Sequence, residues 1–417
     1  MTDMVPGEEP AVDPPADNGE DPSNGPNGNE PSAMYKRITG IGTSAAEAAV
    51  VPILAVVTAL IVGAFIIAVT DVDTLPLWGS DPAEALRLTM SGVSDAYRAL
   101  FVGSVGSFKA ISETLFAATP LILAGLAVAV GFQAGLFNIG VNGQMHIGGL
   151  AGLWVGFTFA IPAVFHIPLV LAAAMVGGAI WAGIAGVLKA RTGAHEVIST
   201  IMLNFIALFL VDYLLTTSVF QAPGRNDPIS KPTGVTSIFS PLFGSYRVSI
   251  GFIIALVAVA VVYWLMYRTT IGYEFRAVGY NPSAGRYAGM NVAWIYISAM
   301  AVSGALAGIA GVNQIVGVEP YRAISNFAGT FGFDAIALAL LGRSHPVGVL
   351  FAGLLFGALR AGGREMQGAA GVPLDLVLVL QALIIVMIAA PELIRAIYRI
   401  KTPTKDITTV TSTGWGS

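Results

Sequence analysis

Residues 135–152 read GLFNIGVNGQMHIGGLAG, and this stretch decides how the rest of the chain is interpreted. It is rich in glycine and carries Asn138, Asn142, Gln144 and His146, yet strongly apolar segments lie on both sides of it. Lipid cannot hydrogen bond to backbone or amide groups, so a polar, irregular segment at membrane depth has to face protein or water. The stretch therefore predicts either the lining of a polar passage or a close contact between helices.

The composition is that of a membrane protein with many spans. The chain is 55% hydrophobic and 11% charged, with a mean hydropathy of +0.74, whereas soluble domains carry about 25% charged residues. It has no cysteine, which excludes disulfides and thiol chemistry, and its 4 histidines lack the spacing of a metal site. We therefore predict neither a catalytic site nor a metal site.

The charge is unevenly distributed along the chain. Residues 1–34 contain eight acidic residues and no Lys or Arg, in a background of Pro, Gly and Asn. Such a segment cannot bury apolar area and lacks the features of a secretory signal. We predict a disordered, acidic cytoplasmic leader over 1–44, a transmembrane domain over 45–400 and a cytoplasmic tail over 401–417.

Hydropathy predicts an all-α fold with about ten transmembrane helices, since a span needs about 20 apolar residues. The predicted spans are 49–70, 113–132, 140–162, 167–189, 197–217, 248–267, 294–318, 329–343, 346–362 and 374–398. The eighth and ninth are short and are divided by Gly342–Pro346. They are predicted to be either a re-entrant pair of half-helices or two thin spans.

Basic residues near the span ends predict the orientation in the cell membrane. Lys36 and Arg37 precede the first span, which places the N-terminus in the cytoplasm, and an even number of spans returns the C-terminus to the same side. The C-terminal basic residues agree: Arg395, Arg399, Lys401 and Lys405. The external loop 218–247 runs against the rule with three basic residues. This loop and residues 71–112 are long enough to dock an extracytoplasmic partner.

Two halves of the chain carry a similar interruption. Gly135–Gly140 reads GLFNIG and Gly329–Asp334 reads GTFGFD, and each precedes a further apolar segment. Interrupted apolar segments at corresponding places in two halves indicate the central site of a transporter. We therefore predict two pseudo-repeated halves with broken helices near the centre, although chance similarity between glycine-rich segments is the alternative.

The first interruption supplies candidate residues for a solute path. These are Phe137, Asn138, Asn142 and Gln144. Amides both donate and accept hydrogen bonds, and glycine lets a ligand approach the backbone. The set suits an uncharged polyhydroxylated or heterocyclic solute, and helix packing by Gly and Asn is the alternative.

The second interruption adds Phe331, Phe333 and Asp334 to the predicted path. Two aromatic rings beside a carboxylate fit a base or sugar ring whose hydroxyl protons the carboxylate accepts. A helix cap is the alternative role for Asp334.

A polar run between the sixth and seventh spans predicts either an ordinary cytoplasmic loop, which the composition favours, or a contact surface. Asn281-Pro282 can start a helix, because proline fits the first helical turn, and residues 282–290 would form a short helix of small residues. Such a knob fits a groove on a soluble protein, and an ordinary loop is the alternative. The candidate contact residues are Arg276, Asn281, Pro282, Gly285, Arg286 and Gly289.

Three of these segments resemble a known family. GLFNIGVNGQ, GAHEVISTIMLN and FRAVGYNPSAGRYAGM are similar to the permease subunits of prokaryotic ABC importers for nucleosides and simple sugars, within the ribose and branched-chain amino-acid permease group. The resemblance covers residues 45–400. It implies a second permease subunit, cytoplasmic ATPase subunits and an extracytoplasmic solute-binding protein, with residues 282–290 as the coupling helix.

The resemblance also implies that ATP and Mg are bound by the ATPase subunits and that this chain holds no cofactor. The sequence agrees, because it contains no GxxxxGK[ST] motif for nucleotide phosphates. A nucleic-acid polymer is not expected as a partner. The expected function is inward transport of a nucleoside or a related sugar-like solute.

The alternative is a secondary transporter driven by a proton or an ion gradient. It would need ionisable groups along the path. The candidates are His195, Glu196, Asp212 and Asp334, which are not grouped in the sequence. A His-Glu pair at the start of a span is also a common arrangement at the membrane interface.

Overall fold

The structure, a computed structural model, describes residues 33–71 and 74–399. The chain divides into two units, residues 1–50 and 51–417, and the described part of the first unit is the beginning of helix α1. Most of the predicted leader 1–44 and all of the tail 401–417 lie outside the described residues.

The described residues are mainly helical. The helices are α1 (Ala33–Thr70), α2 (Leu77–Ser80), α3 (Pro82–Val105), α4 (Phe108–Gln133), α5 (Val141–Thr158), α6 (Ala163–Thr192), α7 (Glu196–Leu215), α8 (Ile250–Arg268), α9 (Thr270–Tyr280), α10 (Pro282–Tyr287), α11 (Val292–Val316), α12 (Phe331–Leu341), α13 (Pro346–Ala370), α14 (Leu374–Ala389) and α15 (Pro391–Tyr398). The loop 218–247 is held by a 3₁₀ turn and isolated β-bridges.

The predicted all-α membrane fold is confirmed. Among the described residues, seven helices are long and apolar enough to cross a membrane: α1, α4, α6, α7, α8, α11 and α13. The helices α12 and α14 are shorter and apolar, and the glycine-rich helix α5 has 18 residues. Every predicted span corresponds to one of these helices.

The ninth span is longer than predicted. Helix α12 is a half-helix of 11 residues, but α13 has 25 residues and begins at Pro346. Arg360 lies inside the predicted span 346–362 and Arg364 just beyond it, and both stay within α13, where acidic residues of α12 and α4 pair with them. The tenth span also differs, since it divides at Ala390 into α14 and α15.

The set of helices has two ends, and each end is identified by the loop or the short helices found there. The long-loop end carries residues 218–247, and the short-helix end carries α9 and α10. Helix α4 starts at the long-loop end, where Arg247 donates to Glu113 over 2.9 Å, and ends beside α9. Helix α11 runs the other way and ends where Phe239 N donates to Val316 O over 3.0 Å.

Each of these two helices is followed by a non-helical break. Break 134–140 follows α4 at the short-helix end, where Gly135 has φ +72° and packs against Gly279. Break 317–330 follows α11 at the long-loop end, where Tyr321 O accepts from Thr233 N over 3.0 Å. The two halves therefore run in opposite directions, as in transporters built from inverted repeats.

Small residues let the central helices approach closely. Helices α5, α6 and α11 pack against one another, and a Cβ atom on Gly178 of α6 would overlap the backbone of Gly304 on α11. Glycine contacts of this kind are typical of packing between membrane helices, where lipid supplies no hydrophobic drive for association. They hold the helices around the two breaks.

Candidate functional site

The amides of Asn138 and Gln144 bond to each other. Asn138 Nδ2 donates to Gln144 Oε1 and Gln144 Nε2 donates to Asn138 Oδ1, both over 3.0 Å. Asn138 Nδ2 also donates to Ser303 Oγ over 2.8 Å, and Ser303 Oγ donates to Ala127 O over 2.6 Å. Both amides are buried, so in this conformation they brace break 134–140 against α4 and α11. Contact between these two residues and a solute stays a prediction.

Asn204 of α7 secures the start of α5. Its Oδ1 accepts from Gly143 N over 2.7 Å and its Nδ2 donates to Ile139 O over 2.8 Å. The first N–H groups of a helix have no partner inside the helix, and Asn204 supplies one from a neighbouring element. The sequence shows Asn204 as a polar residue within a span, but it does not reveal this partner.

The two breaks meet at Asn142. Its Nδ2 donates to Gly329 O over 3.0 Å, and Gly332 N donates to its Oδ1 over 3.2 Å. Residues Asn142, Gly329 and Gly332 are called the break junction below. The predicted path residue Asn142 is therefore placed where the two predicted interruptions come together.

His146 lies one turn beyond Asn142 on α5. Its Nδ1 lies 2.8 Å from Asn142 O, and its ring lies 4.9 Å from the ring of Phe327 in break 317–330. The side chain is buried, and its Nε2 has no hydrogen-bond partner among the described residues. A polar group in this position adds to the hydrogen-bonding capacity around the break junction.

Asp334, in the first turn of α12, forms an ion pair with Arg360 of α13. Thr330 Oγ1 also donates to Asp334 Oδ2 over 2.9 Å, and the Arg360 guanidinium lies 4.4 Å from the centre of the Phe331 ring. Sequence reasoning missed Arg360. The available signal was a single charged residue in an otherwise apolar run, because such a residue needs a partner at membrane depth.

The predicted aromatic residues have different surroundings. Phe331 packs against the core and beneath Arg360, whereas the side chain of Phe333 is half exposed. Phe137 lies 4.9 Å from Phe132, ring centre to ring centre, at the short-helix side of its break. The structure thus brings Phe331 and Asp334 together, close to Asn142 through Gly332, and leaves Phe137 apart from them.

The predicted short helix forms at the short-helix end. Asn281 caps α10 by accepting from Ser283 N over 3.0 Å and from Ala284 N over 3.1 Å. The helix ends at Tyr287 and not at residue 290, because Gly289 takes φ +82° and turns the chain. Asn281-Pro282 therefore predicted the start of the helix correctly, whereas the predicted end at residue 290 was wrong.

The residues of this segment face in different directions. Gly285 is buried against Val278, so it seats α10 on α9. Pro282, Arg286 and Gly289 are exposed, and Tyr287 is 95% exposed. Arg276, on α9, is only partly exposed. Its guanidinium lies 5.0 Å from the centre of the Tyr267 ring.

Glu196 at the start of α7 pairs with Lys189 at the end of α6 over 2.7 Å. This pairing favours a helix start at the membrane interface over a proton-carrying His195-Glu196 pair. His195 occupies the capping position before α7.

A cavity of about 520 Å³ opens at the long-loop end. Its lining includes Phe116, Arg247, Glu319 and Tyr321, and the Arg247 guanidinium lies 3.9 Å from the centre of the Phe116 ring. Loss of solvent around the Tyr321 phenol, and then the negative charge of Glu319, raise the pKa of Tyr321. The phenol therefore remains a neutral hydrogen-bond donor at this opening.

Comparison with known proteins identifies relatives along most of the chain. Residues 110–389 match the family described as branched-chain amino acid transport system / permease component. The guanosine ABC transporter permease protein NupP of Bacillus subtilis is 40% identical over 75% of this chain and 91% of its own length. The nucleoside ABC transporter permease protein NupB of Lactococcus lactis is 36% identical over 82% of this chain and 91% of its own length.

A third relative is named for glucose and not for a nucleoside. The glucose ABC transporter permease protein TsgB13 of Haloferax volcanii is 37% identical over 84% of this chain and 89% of its own length. No solved structure matches the chain significantly.

Proposed function

The chain belongs to the branched-chain amino acid transport system / permease component family, and we propose that it carries a nucleoside or a related sugar-like solute into the cell. It is a multi-pass membrane permease component of an ABC transporter and not an enzyme. This family membership favours the ATP-driven importer over the alternative of a gradient-driven carrier.

The observation that carries the proposal is the break junction. Break 134–140 and break 317–330 come from opposite ends and meet at Asn142. Non-helical backbone at membrane depth is tolerated where it borders protein or a water-filled cavity. In transporters with inverted repeats such breaks surround the solute, and the two halves rock around that point.

The chemistry around the junction supports an uncharged solute with many donors and acceptors. Backbone groups of Gly329 and Gly332 and the Asn142 amide, which bond to one another in this conformation, and the neutral Arg360–Asp334 pair include both donors and acceptors. Guanosine and glucose, the solutes in the names of the relatives NupP and TsgB13, share this character. The two chemical classes are separated by the uptake experiment below.

The partners in the proposal follow from what the chain contains. A second permease subunit completes the membrane part, and cytoplasmic ATPase subunits bind ATP and Mg, since this sequence has no motif for nucleotide phosphates. Helix α10 docks on an ATPase subunit through its exposed surface, which includes the side chain of Tyr287. A solute-binding protein delivers its load at the long-loop end, where the cavity lined by Arg247 opens.

In the proposed orientation the short-helix end faces the cytoplasm. Support comes from its basic residues, which include Lys189, Arg191, Arg268 and Arg276. Thr70 at the end of α1, Ala370 at the end of α13 and Leu376 near the start of α14 line one cavity. Arg364 near the end of α13 pairs with Glu113 at the long-loop end, so α1 ends and α14 begins toward that end. Both chain termini are therefore proposed to lie on the cytoplasmic side.

The test is uptake by the complete transporter in liposomes. We expect ATP-dependent accumulation of labelled guanosine or another nucleoside when the binding protein is present, and a thermal shift of that binding protein with the same solute. Uptake of glucose and not of nucleosides would assign the sugar class. Uptake by this chain alone, driven by a proton or sodium gradient, would contradict the proposal.

A further inference from the structure

Arg360 lies inside a helix that is long and apolar enough to cross a membrane, one turn before Arg364, which pairs with Glu113. Helix α13 extends from Pro346 to Ala370 and is apolar enough to cross the membrane. At 1.5 Å per residue, Arg360 lies about 21 Å from one end of the helix axis and about 15 Å from the other. A guanidinium at this depth is costly unless protein, water or a solute surrounds it.

The immediate surroundings of the guanidinium balance its charge. Arg360 Nη2 donates to Asp334 Oδ2 and lies 3.4 Å from Thr330 Oγ1. Thr330 Oγ1 donates to the same carboxylate oxygen over 2.9 Å, and the Phe331 ring covers one face of the guanidinium at 4.4 Å. The pair is therefore held in place by α12 and is neutral as a unit.

The pair keeps unused hydrogen-bonding capacity. Within the described residues, Asp334 Oδ1 and the Nε and Nη1 groups of Arg360 have no hydrogen-bond partner. The two side chains are 24% and 19% exposed at the surface of this chain. One acceptor and several donors thus belong to two adjacent side chains that reach the surface of the chain.

Lipid is an unsuitable neighbour for this surface. Hydrocarbon cannot satisfy the spare donors and the acceptor, and the adjacent Thr330 is exposed as well. The pair also lies close to the break junction along the chain, because Gly332, in the same helical turn as Asp334, bonds to Asn142. Water, a solute in the path or a polar surface of the second permease subunit can use these groups, and a thiol beside the pair tells a water-filled path from a closed subunit contact.

We propose that the Arg360–Asp334 pair contacts the solute in the path, with the guanidinium donating to an acceptor atom of the solute and Asp334 Oδ1 accepting from a hydroxyl or N–H group. The pair has no net charge, so it fits an uncharged solute such as a nucleoside and gives no advantage to an anionic nucleotide. This inference rests on the proposed transport function and adds the residues that recognise the solute.

A thiol-accessibility experiment tests the contact without depending on transport. The chain has no cysteine, so Thr330→Cys, a change of similar size, places a single thiol beside the pair. In the complete transporter we expect this thiol to react with a water-soluble methanethiosulfonate reagent, and we expect guanosine delivered by the binding protein to slow the reaction at least fivefold. The matched control is Val261→Cys on the exposed surface of α8, which should be unreactive because it faces lipid.

Two results would overturn the inference: a Thr330→Cys thiol that is as unreactive as the Val261→Cys control, or one whose reaction rate is the same with and without solute. Labelling is measured by mass spectrometry of this chain, so that the introduced thiol is distinguished from cysteines of the partner subunits.

A charge exchange separates solute contact from simple structural pairing. In Asp334→Arg/Arg360→Asp the ion pair can re-form, but the donors and the acceptor change places. We expect normal assembly and uptake at least tenfold below wild type, since a hydrogen bond to a charged group contributes about this factor. Uptake restored to the wild-type level would show that the pair has a structural role only. If the exchanged variant does not assemble, the reactivity of Thr330→Cys decides whether the pair contacts the solute.

The wild-type complex keeps the two proposals distinguishable. If wild type imports neither nucleosides nor sugars, the proposed function fails. If wild type imports them and the variants behave like wild type, only the role of the Arg360–Asp334 pair fails.

Discussion

Gly332 donates its backbone N–H to the side-chain oxygen of Asn142 over 3.2 Å, although 190 residues separate them in the sequence. The contact joins the first turn of α12 to the first turn of α5. No side chain could stand between them, because a Cβ atom on Gly332 would overlap the backbone of Asn142. Two breaks that enter from opposite ends are thereby fastened at one point.

Asn142→Leu should uncouple the two breaks. The change keeps a similar side-chain volume but leaves Gly329 O and Gly332 N without their partner, at a cost of about 1–3 kcal/mol for each group that stays buried. We expect uptake to fall about tenfold or more in assembled complexes, measured with labelled solute in liposomes. Gln367→Leu, which also replaces an amide by leucine but at an exposed position of α13 outside the long loop, is the control, and equal uptake by both variants would refute the role of the junction.

Gly332→Ala should separate α12 from α5 by steric overlap alone. The added methyl group meets the backbone of Asn142, which cannot move aside as a flexible side chain could. We expect reduced uptake and a lower melting temperature of the purified complex. Gly368→Ala on α13, where an added Cβ meets nothing within 4 Å, should leave both quantities unchanged or slightly improved. A Gly332→Ala variant as stable and active as Gly368→Ala would speak against the close contact.

Asn138→Leu should destabilise the protein more than the double change Asn138→Leu/Gln144→Leu. The single change leaves the buried Gln144 amide without its partner, whereas the double change removes both members of the pair. An unpaired buried amide costs about 1–3 kcal/mol, and exchanging both partners for apolar groups is nearly neutral for that contact. Thermal denaturation of the complex in detergent measures the difference, and strictly additive losses would disprove the reciprocal pair.

Ala288→Glu should weaken the coupling of α10 to the ATPase. Ala288 is exposed beside Tyr287, so a charged side chain there alters the surface without disturbing the seat of α10. We expect uptake to be lost while the binding protein still captures solute and ATP hydrolysis no longer responds to it. Gly285→Glu is a less specific change, because Gly285 is buried against Val278.

Thr192→Glu is the matched control for this prediction. It adds the same charge at an exposed position of the short-helix end, outside α10. Normal coupling is expected for it. Normal uptake by Ala288→Glu would remove α10 from the proposed ATPase contact.

The sequence predicted the parts of this fold that depend on local signals. Apolar windows located the spans, and Asn281-Pro282 located the start of α10, because a capping side chain and a proline act within one turn. The glycine-rich segment Gly135–Gly140 predicted the first break, with Asn142 close to it, whereas the predicted interruption Gly329–Asp334 overlaps the second break only at residues 329–330. These features need no knowledge of the neighbouring helices.

The contacts between distant residues could not be predicted in the same way. Ser303 bonds to Asn138 across 165 residues and Arg360 pairs with Asp334 across 26, and neither spacing has a local signature. The length of α13 was wrong for the same reason, since its charged residues are tolerated only through partners on other helices. The buried state of Asn138 and Gln144 likewise follows from packing and not from their residue type.

The most direct test is an electron cryomicroscopy structure of the complete transporter, trapped with guanosine by ATPase subunits that bind ATP and do not hydrolyse it. Our account predicts solute density within about 3–4 Å of Asn142, Gly332 or Arg360, the hydrogen-bonding and contact range, with the two breaks displaced from each other relative to the present conformation. Density held elsewhere, with the Asn142–Gly332 contact intact and sealed by helices on every side, would contradict it.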